Sequence, residues 1–148
     1  MGQNQFMPSS FLNYATDFDQ DGRKDIWNTL PDVFASSSNY LNKSGWDHNQ
    51  TWGREVRVSG IIDDEFITTS ARHIDISKKL TEWSDLGVSN LDGSMLPQSN
   101  INSYLVYPEG IDGRKYIVYE NFKTIMKWNR SLFFGIAVGT LSDMIEYY

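Results

Sequence analysis

The sequence predicts an α+β fold that is mainly helical and carries one small β-hairpin region. Three observations predict it. Five segments place apolar residues at helical spacing, and two β-rich runs, Ser103-Tyr-Leu-Val-Tyr107 and Lys115-Tyr-Ile-Val-Tyr119, flank a turn-prone stretch from Pro108 to Arg114. Long helices alternating with strands are absent, which argues against a doubly wound parallel sheet.

In chain order, Pro8-Ser9-Ser10 suits a helix entrance and is followed by Phe11, Leu12, Tyr14 and Ala15 as a short helical patch. An acidic segment, Asp17 to Asn28, interrupts it. Thr29 with Asp32 three residues later resembles a capping box, and Val33, Phe34, Ser37, Tyr40 and Leu41 keep helical spacing until Gly45. Val56 and Val58 alternate with charged neighbours as in a half-buried strand, while residues 63–74 carry no clear period. Ile76, Leu80 and Trp83 fall at i, i+4 and i+7 before Gly87, predicting an amphipathic helix. Residues 90–102, rich in Ser, Asn, Gly and Pro, read as a loop leading into the hairpin. Asn121 is placed to cap a helix carrying Phe122, Ile125 and Met126. Ser131 is placed to cap a last one carrying Phe134, Ala137, Val138, Leu141 and Ile145.

Composition narrows the partners. The 148 residues suit one domain, and 13 Lys+Arg against 19 Asp+Glu give a net charge of −6 without a concentrated basic run. Nucleic-acid binding is therefore not expected, since it needs a basic footprint. The longest apolar run, Leu132 to Val138, is broken by Gly135 and far short of the ~20 residues of a membrane helix, so no transmembrane segment is expected. No export signal is read in Met1-Gly-Gln-Asn-Gln5, and the absence of cysteine removes disulfides and thiolate chemistry.

The sharpest chemical signal is Asp17-Phe-Asp19-Gln-Asp21-Gly22-Arg23-Lys-Asp25-Ile-Trp-Asn28, an EF-hand-type loop over residues 17–28. Calcium takes six or more oxygens. Carboxylates of Asp17, Asp19 and Asp21, the backbone carbonyl of Arg23 and an oxygen of Asn28 occupy the ligand positions, with Gly22 at the sharp turn. Asn28 offers one neutral oxygen where a bidentate Glu is usual, which weakens the site. An acidic, solvated Asp-Gly turn is the alternative, but four carboxylates in nine residues repel one another without a cation. Asn129 is the other singular residue: it continues the face of Phe122, Ile125 and Met126 with a polar amide, between the aromatic Trp128 and Phe134. Rings and amides together suit sugar binding, and equally an ordinary core with a capping Asn. His48 and His73 lie in polar surroundings, and no Glu sits in an apolar run that would raise its pKa.

Several segments together resemble the membrane-bound lytic murein transglycosylase B family. They are Gly2-Gln-Asn-Gln-Phe-Met-Pro-Ser-Ser10, the acidic loop with Asp25-Ile-Trp-Asn28, Asp32 to Leu41, Gly45-Trp46, Trp52-Gly-Arg-Glu-Val56, Trp83-Ser-Asp-Leu-Gly-Val88, Val118-Tyr-Glu-Asn-Phe122, Trp128-Asn129 and Ala137-Val-Gly-Thr-Leu-Ser-Asp143. They cover almost the whole chain in family order. The resemblance implies a partial lysozyme-like transglycosylase fold, with residues 1–148 as the C-terminal portion of that domain and its N-terminal part missing. It implies cleavage of the MurNAc–GlcNAc bond of peptidoglycan to 1,6-anhydromuramyl products in the bacterial periplasm or cell envelope. It implies that Gln5 and Phe6 line the cleft and that Trp128, Asn129 and Phe134 contact glycan, the first and last standing where the family usually has tyrosine. It also implies Ca²⁺ held by Asp17, Asp19, Asp21, Arg23 and Asn28. The family's catalytic glutamic acid belongs to a Glu-Ser-type motif upstream of the Gln-Phe-Met-Pro segment, and no Glu of this chain lies in a matching motif, so the chain by itself is expected to be inactive.

Two alternatives to an incomplete transglycosylase stand beside that reading. One is a non-catalytic, calcium-stabilised module that binds peptidoglycan glycan strands. The other is an aberrant frame opened at an internal Met, whose unpartnered aromatic faces would aggregate.

Overall fold

A computed structural model describes residues 1–146. The chain divides into two compact units, Met1–Trp46 and Asp47–Tyr148.

The first unit holds two helices and the acidic loop. Helix α1, Pro8–Tyr14, starts on Pro8, whose fixed φ and missing N–H suit the first helical turn. Helix α2, Leu30–Lys43, follows the loop and ends as Trp46 N–H returns to the Leu41 carbonyl past Gly45 at φ 104°. The expected capping box is not formed. Thr29 makes no side-chain cap bond, and the Asp32 carboxylate is drawn away by the backbone N–H groups of Phe18 and Asp25, at 2.7 and 2.8 Å. The small core gathers Phe6, Ala15, Ile26 and Val33, with Tyr40 meeting the rings of Phe6 and Tyr14 at 5.8 and 4.9 Å. Gly2, at φ 64°, lets the backbone pass against Ile26, where a Cβ would collide with both side chain and carbonyl.

The second unit is built on a sheet larger than the hairpin the sequence predicted. Strands β1 (Gly53–Val58), β2 (Ile67–Thr68), β3 (Lys78–Lys79), β4 (Val88–Asn90), β5 (Asn102–Val106) and β6 (Lys115–Val118) form six strands in the order β2-β5-β6-β1-β4, with β3 also on β5. The hairpin itself is β5 against β6, antiparallel with Leu105 opposite Ile117. The added strands β2, β3 and β4 are two or three residues long, too short to leave a two-residue period in sequence. Their pairing is decided by neighbours rather than by local pattern: β2 runs parallel to β5, the sheet's one parallel pair among the described residues.

Helix α3, Leu80–Asp85, begins four residues later than the Ile76 spacing predicted. Lys78 and Lys79 pair with Ser103 and Asn102, and the Glu82 carboxylate accepts Lys79 N–H at 2.6 Å, so the chain is extended up to that point. Val56, Leu80, Trp83, Val88, Leu96, Leu105, Tyr107, Ile117 and Tyr119 make the core of this unit. Each fully buried large apolar side chain is worth about 1.5–3 kcal/mol.

Helices α4, Glu120–Met126, and α5, Leu132–Glu146, complete it. Ser131 Oγ accepts Phe134 N–H at 3.3 Å, the cap expected for α5. Asn121 is not the α4 cap; Tyr119 is, and Asn121 lies inside the first turn, fully buried. The buried face of α5 is also not the predicted one. Leu132, Gly135 and Gly139 face inward, where the rings of Phe122 and Trp52 lie on the bare helix backbone, while Leu141 and Ile145 are exposed.

Candidate functional site

The acidic loop of the first unit is organised around its own carboxylates. Asp17 Oδ2 accepts Gly22 N–H at 3.0 Å, Asp19 Oδ1 accepts Asp21 N–H at 3.3 Å and Asp21 Oδ1 accepts Arg23 N–H at 2.8 Å. These are the Asx-type bonds of a loop turned inward on its oxygens, with Gly22 at φ 90° giving the bend. Asp17, Asp19 and Asp32 each bring a carboxylate oxygen to within 4.8 Å of the others. One of those residues lay outside the sequence motif. Asp32 is fully buried at the start of α2, and the position of a carboxylate one helical turn after an acidic loop was its only signal.

Electrostatics in the loop is unfavourable as it stands. Asp19's carboxyl is raised above its ordinary value, first by loss of solvent and then by repulsion from Asp21, Asp32 and Asp17, against the Asp21 N–H that holds it down. Asp17 Oδ1 is shut off from solvent with no hydrogen-bond partner among the described residues. An orphaned carboxylate oxygen facing two further carboxylates fits a divalent cation. Asn28 lies apart from this set: it is exposed, and its side-chain amide donates to Asp25 at 3.2 and 3.3 Å. Asp25's carboxyl is held below its ordinary value by that amide and by the N–H groups of Asn28 and Trp27.

Gln5 and Phe6 also belong to the first unit. Gln5 is exposed and adopts φ 54°, a left-handed conformation unusual for a residue with a side chain, with Nε2 donating to the Gly2 carbonyl at 2.9 Å. Phe6 is buried, its ring against Tyr40.

Trp128, Asn129 and Phe134 lie in the second unit at the junction of α4 and α5. Trp128 and Phe134 are half-buried and Asn129 is exposed. The Asn129 carbonyl accepts Ser131 N–H at 2.8 Å, which tightens the turn, while its side-chain amide makes no hydrogen bond among the described residues. The buried amide of this region is Asn121, not Asn129. Its Oδ1 accepts Asp47 N–H at 2.8 Å and its Nδ2 donates to the carbonyls of Asp47 and Gln50 at 2.8 and 2.7 Å. It ties the 47–50 loop to α4, a role that only spatial proximity reveals.

One network went unseen in sequence. Tyr104 donates its hydroxyl to Glu120 Oε1 at 2.5 Å, and Lys123 Nζ donates to the same hydroxyl at 3.1 Å and lies 3.6 Å from Glu120 Oε2. Burial and the Glu120 bond raise the tyrosine's pKa; burial opposes the charge of Lys123, but its partners outweigh that and raise it as well. Among the described residues every Glu other than Glu55 is exposed, and Glu55 is half-buried.

Among the described residues no helix is long and apolar enough to cross a membrane. The model of the transglycosylase SLT domain family matches residues 1–143. The chain is 29% identical over 150 residues to membrane-bound lytic murein transglycosylase B of Escherichia coli (strain K12), a match covering 98% of this chain and 37% of that protein. SltB3 of Pseudomonas aeruginosa, solved with NAG-anhNAM-pentapeptide and with NAG-NAM-pentapeptide, superposes with a TM-score of 0.88 at 40% identity, over 99% of this chain and 38% of that one. E. coli Slt35, solved in complex with calcium, is 23% identical with a TM-score of 0.75, over 99% of this chain and 44% of that one, and shares the fold. The chain thus spans less than half the length of the relatives it matches. With a family model running over nearly all its residues and a fold shared with solved lytic transglycosylases, the chain belongs to the transglycosylase SLT domain family.

Proposed function

We propose that this chain is the glycan-holding part of a peptidoglycan lytic transglycosylase that cleaves the MurNAc–GlcNAc bond to 1,6-anhydromuramyl products, in the bacterial periplasm or cell envelope. What supports the reading at the α4–α5 junction is Asn129, exposed and with no side-chain hydrogen bond among the described residues, next in sequence to the half-buried Trp128 and five residues before the half-buried Phe134. Such an amide binds sugar hydroxyls while rings cover apolar sugar faces. Trp128, Asn129 and Phe134 of the second unit hold the reacting sugar, and Gln5 and Phe6 of the first unit also contact glycan.

The chemistry needs one glutamic acid. It protonates the glycosidic oxygen, and its conjugate base then takes the proton of the muramic C6 hydroxyl as that oxygen attacks C1, closing the anhydro ring without water. No Glu of this chain stands in the matching motif, so the chain alone binds and does not turn over. Incubation with purified sacculi tests both halves: retention in the pellet, reduced about tenfold in Asn129→Ala, with no anhydromuramyl product by mass spectrometry. Appreciable turnover would overturn the inactivity, and absence of retention would overturn the glycan site.

Calcium is held by Asp17 and Asp19, whose carboxylate oxygens cluster with that of Asp32, and by Asp21 and the Arg23 carbonyl on the spacing of the loop alone. Asn28 joins only if its amide leaves Asp25. When bound, the ion supplies charge neutralisation and loop closure, a structural role. Excess calcium at about 100 times Kd is expected to stabilise the chain by about 2.7 kcal/mol over the chelator-treated form. Asp17→Asn removes that gain, and an unchanged melting temperature in the unsubstituted chain rules the metal out.

A further inference from the structure

In the first unit the acidic loop holds the segment that carries Gln5. Asp32, buried at the start of α2, grips the loop at two points: its carboxylate accepts Phe18 N–H at 2.7 Å and Asp25 N–H at 2.8 Å. Directly after Asp25, the fully buried Ile26 accepts Gln3 N–H on its carbonyl at 2.9 Å, and the Trp27 carbonyl accepts Gln3 Nε2 at 2.9 Å. Gly2 lies so close to Ile26 that a Cβ there would stand 2.5 Å from its carbonyl oxygen. From the other side Asn4, also buried, donates to the Val33 carbonyl at 2.9 Å, one residue beyond Asp32. The 2–6 turn is thus held by the loop and by α2, and Asp32 joins those two supports.

Gln5 is the loaded end of this arrangement. At φ 54° it lies in the left-handed region, which a residue with a side chain occupies only where its surroundings enforce it. Its side chain is exposed, so hydrogen bonds rather than packing enforce it: Gln5 N–H and Nε2 both donate to the Gly2 carbonyl, at 3.2 and 2.9 Å, and Phe6 N–H donates to the Met1 carbonyl at 3.0 Å. The opposite end is loaded too. Asp17, Asp19 and Asp32 bring three carboxylate oxygens within 4.8 Å of one another, and like charges at that distance repel. The repulsion falls on Asp32, the residue that joins both supports of the turn. Neutralising it keeps Asp32 on the Phe18 and Asp25 amides, and a cation that binds the closed loop better than an open one shifts the unit toward the closed turn.

We propose that the acidic loop is a calcium-dependent clamp on Gln5: with a divalent cation among Asp17, Asp19 and Asp32 the 2–6 turn is locked and Gln5 keeps its left-handed conformation, and without the cation the turn opens. The inference rests on the reading of Gln5 as a glycan contact and adds that the first unit's hold on glycan depends on calcium. By linkage, glycan bound at Gln5 tightens calcium by the same factor.

Hydrogen exchange of the whole 148-residue chain, in excess calcium and in chelator, tests the clamp. The amides of Gln3, Gln5 and Phe6 are expected to exchange about tenfold more slowly in calcium, and retention on purified sacculi to be about fivefold tighter. Asp17→Asn should lose both gains at the same calcium concentration, which separates the clamp from calcium bridging to the sacculi. Gln5→Gly takes a positive φ without strain, so its turn should stay closed in both buffers and its exchange difference should fall below about threefold. Equal exchange in the two buffers, with a melting temperature that calcium still raises, overturns the clamp and leaves the metal and glycan readings standing. A difference undiminished in Gln5→Gly overturns Gln5 as the residue clamped. Slower exchange in calcium with equal retention in both buffers overturns the calcium dependence of glycan binding. Retention in neither buffer overturns the glycan reading, and the exchange difference by itself then upholds or overturns the clamp.

Discussion

Asn121 ties the 47–50 loop to α4. It is fully buried and makes three hydrogen bonds to the backbone of residues 47 and 50, so removing it strands one N–H and two carbonyls. Asn121→Ala is expected to cost about 2–4 kcal/mol in urea unfolding, near the upper end for a buried polar deletion; a loss under about 0.5 kcal/mol would mean the 47–50 loop finds other partners. Asp92 shows the opposite, exposed case. Its carboxyl is held below the ordinary 3.8 by the Ser94 hydroxyl at 2.6 Å and then by the Ser94 N–H at 2.8 Å. A carboxyl with a lowered folded pKa stabilises above its unfolded value and loses that contribution as pH falls through the folded one. Titration of the Asp92 carboxyl carbon by NMR should therefore give a midpoint below 3.8, returning toward it in Ser94→Ala.

At the scale of elements, α5 shows why an apolar stripe is a poor guide to the buried face of a helix. The stripe Ala137, Val138, Leu141 and Ile145 was legible and is exposed, because Gly135 and Gly139 give the rings of Phe122 and Trp52 a closer approach than any branched side chain allows. Trp52 is fixed there by its indole N–H, which donates to Asp143 Oδ2 at 2.9 Å. Gly139→Ala would drive a methyl into the Trp52 ring, with an expected loss of about 1–3 kcal/mol. Thermal unfolding checks it, and Ala at Thr140, one residue along and exposed, should shift the midpoint far less. The sheet tells a similar story: β1, β5 and β6 announce themselves by alternation or β-branched content, whereas β2, β3 and β4 exist because β5 and β1 offer them unpaired edges.

For the whole molecule, the net charge of −6 is concentrated, since Asp17, Asp19, Asp21 and Asp25 stand within nine residues. A bound Ca²⁺ brings the chain from −6 to −6 + 2 = −4. Electrophoretic mobility should therefore fall by about a third in calcium relative to chelator, with Asp17→Asn showing no such change; equal mobility in both buffers would contradict the ion. Trp83 tests the second unit's core: it is fully buried at the centre of the cluster, and Trp83→Ala should cost about 3–5 kcal/mol by urea unfolding.

What the amino acids determined alone were the features whose signals are local. Helical spacing placed the five helices, paired β-rich runs placed the hairpin, and carboxylates at fixed loop spacing marked Asp17, Asp19 and Asp21. Those depend on residues a few positions apart, where backbone period and turn chemistry act directly. The tertiary structure alone decided that Asp32 serves the loop rather than a helix cap, that Asn121 rather than Asn129 is the buried amide, and that Ile26 holds Gln3 in the turn carrying Gln5. Each of these joins residues 14 to 74 positions apart or sets a surface against another, and a polar group's partner over that distance is chosen by packing and by the cost of leaving it unsatisfied, neither of which leaves a mark on nearby sequence.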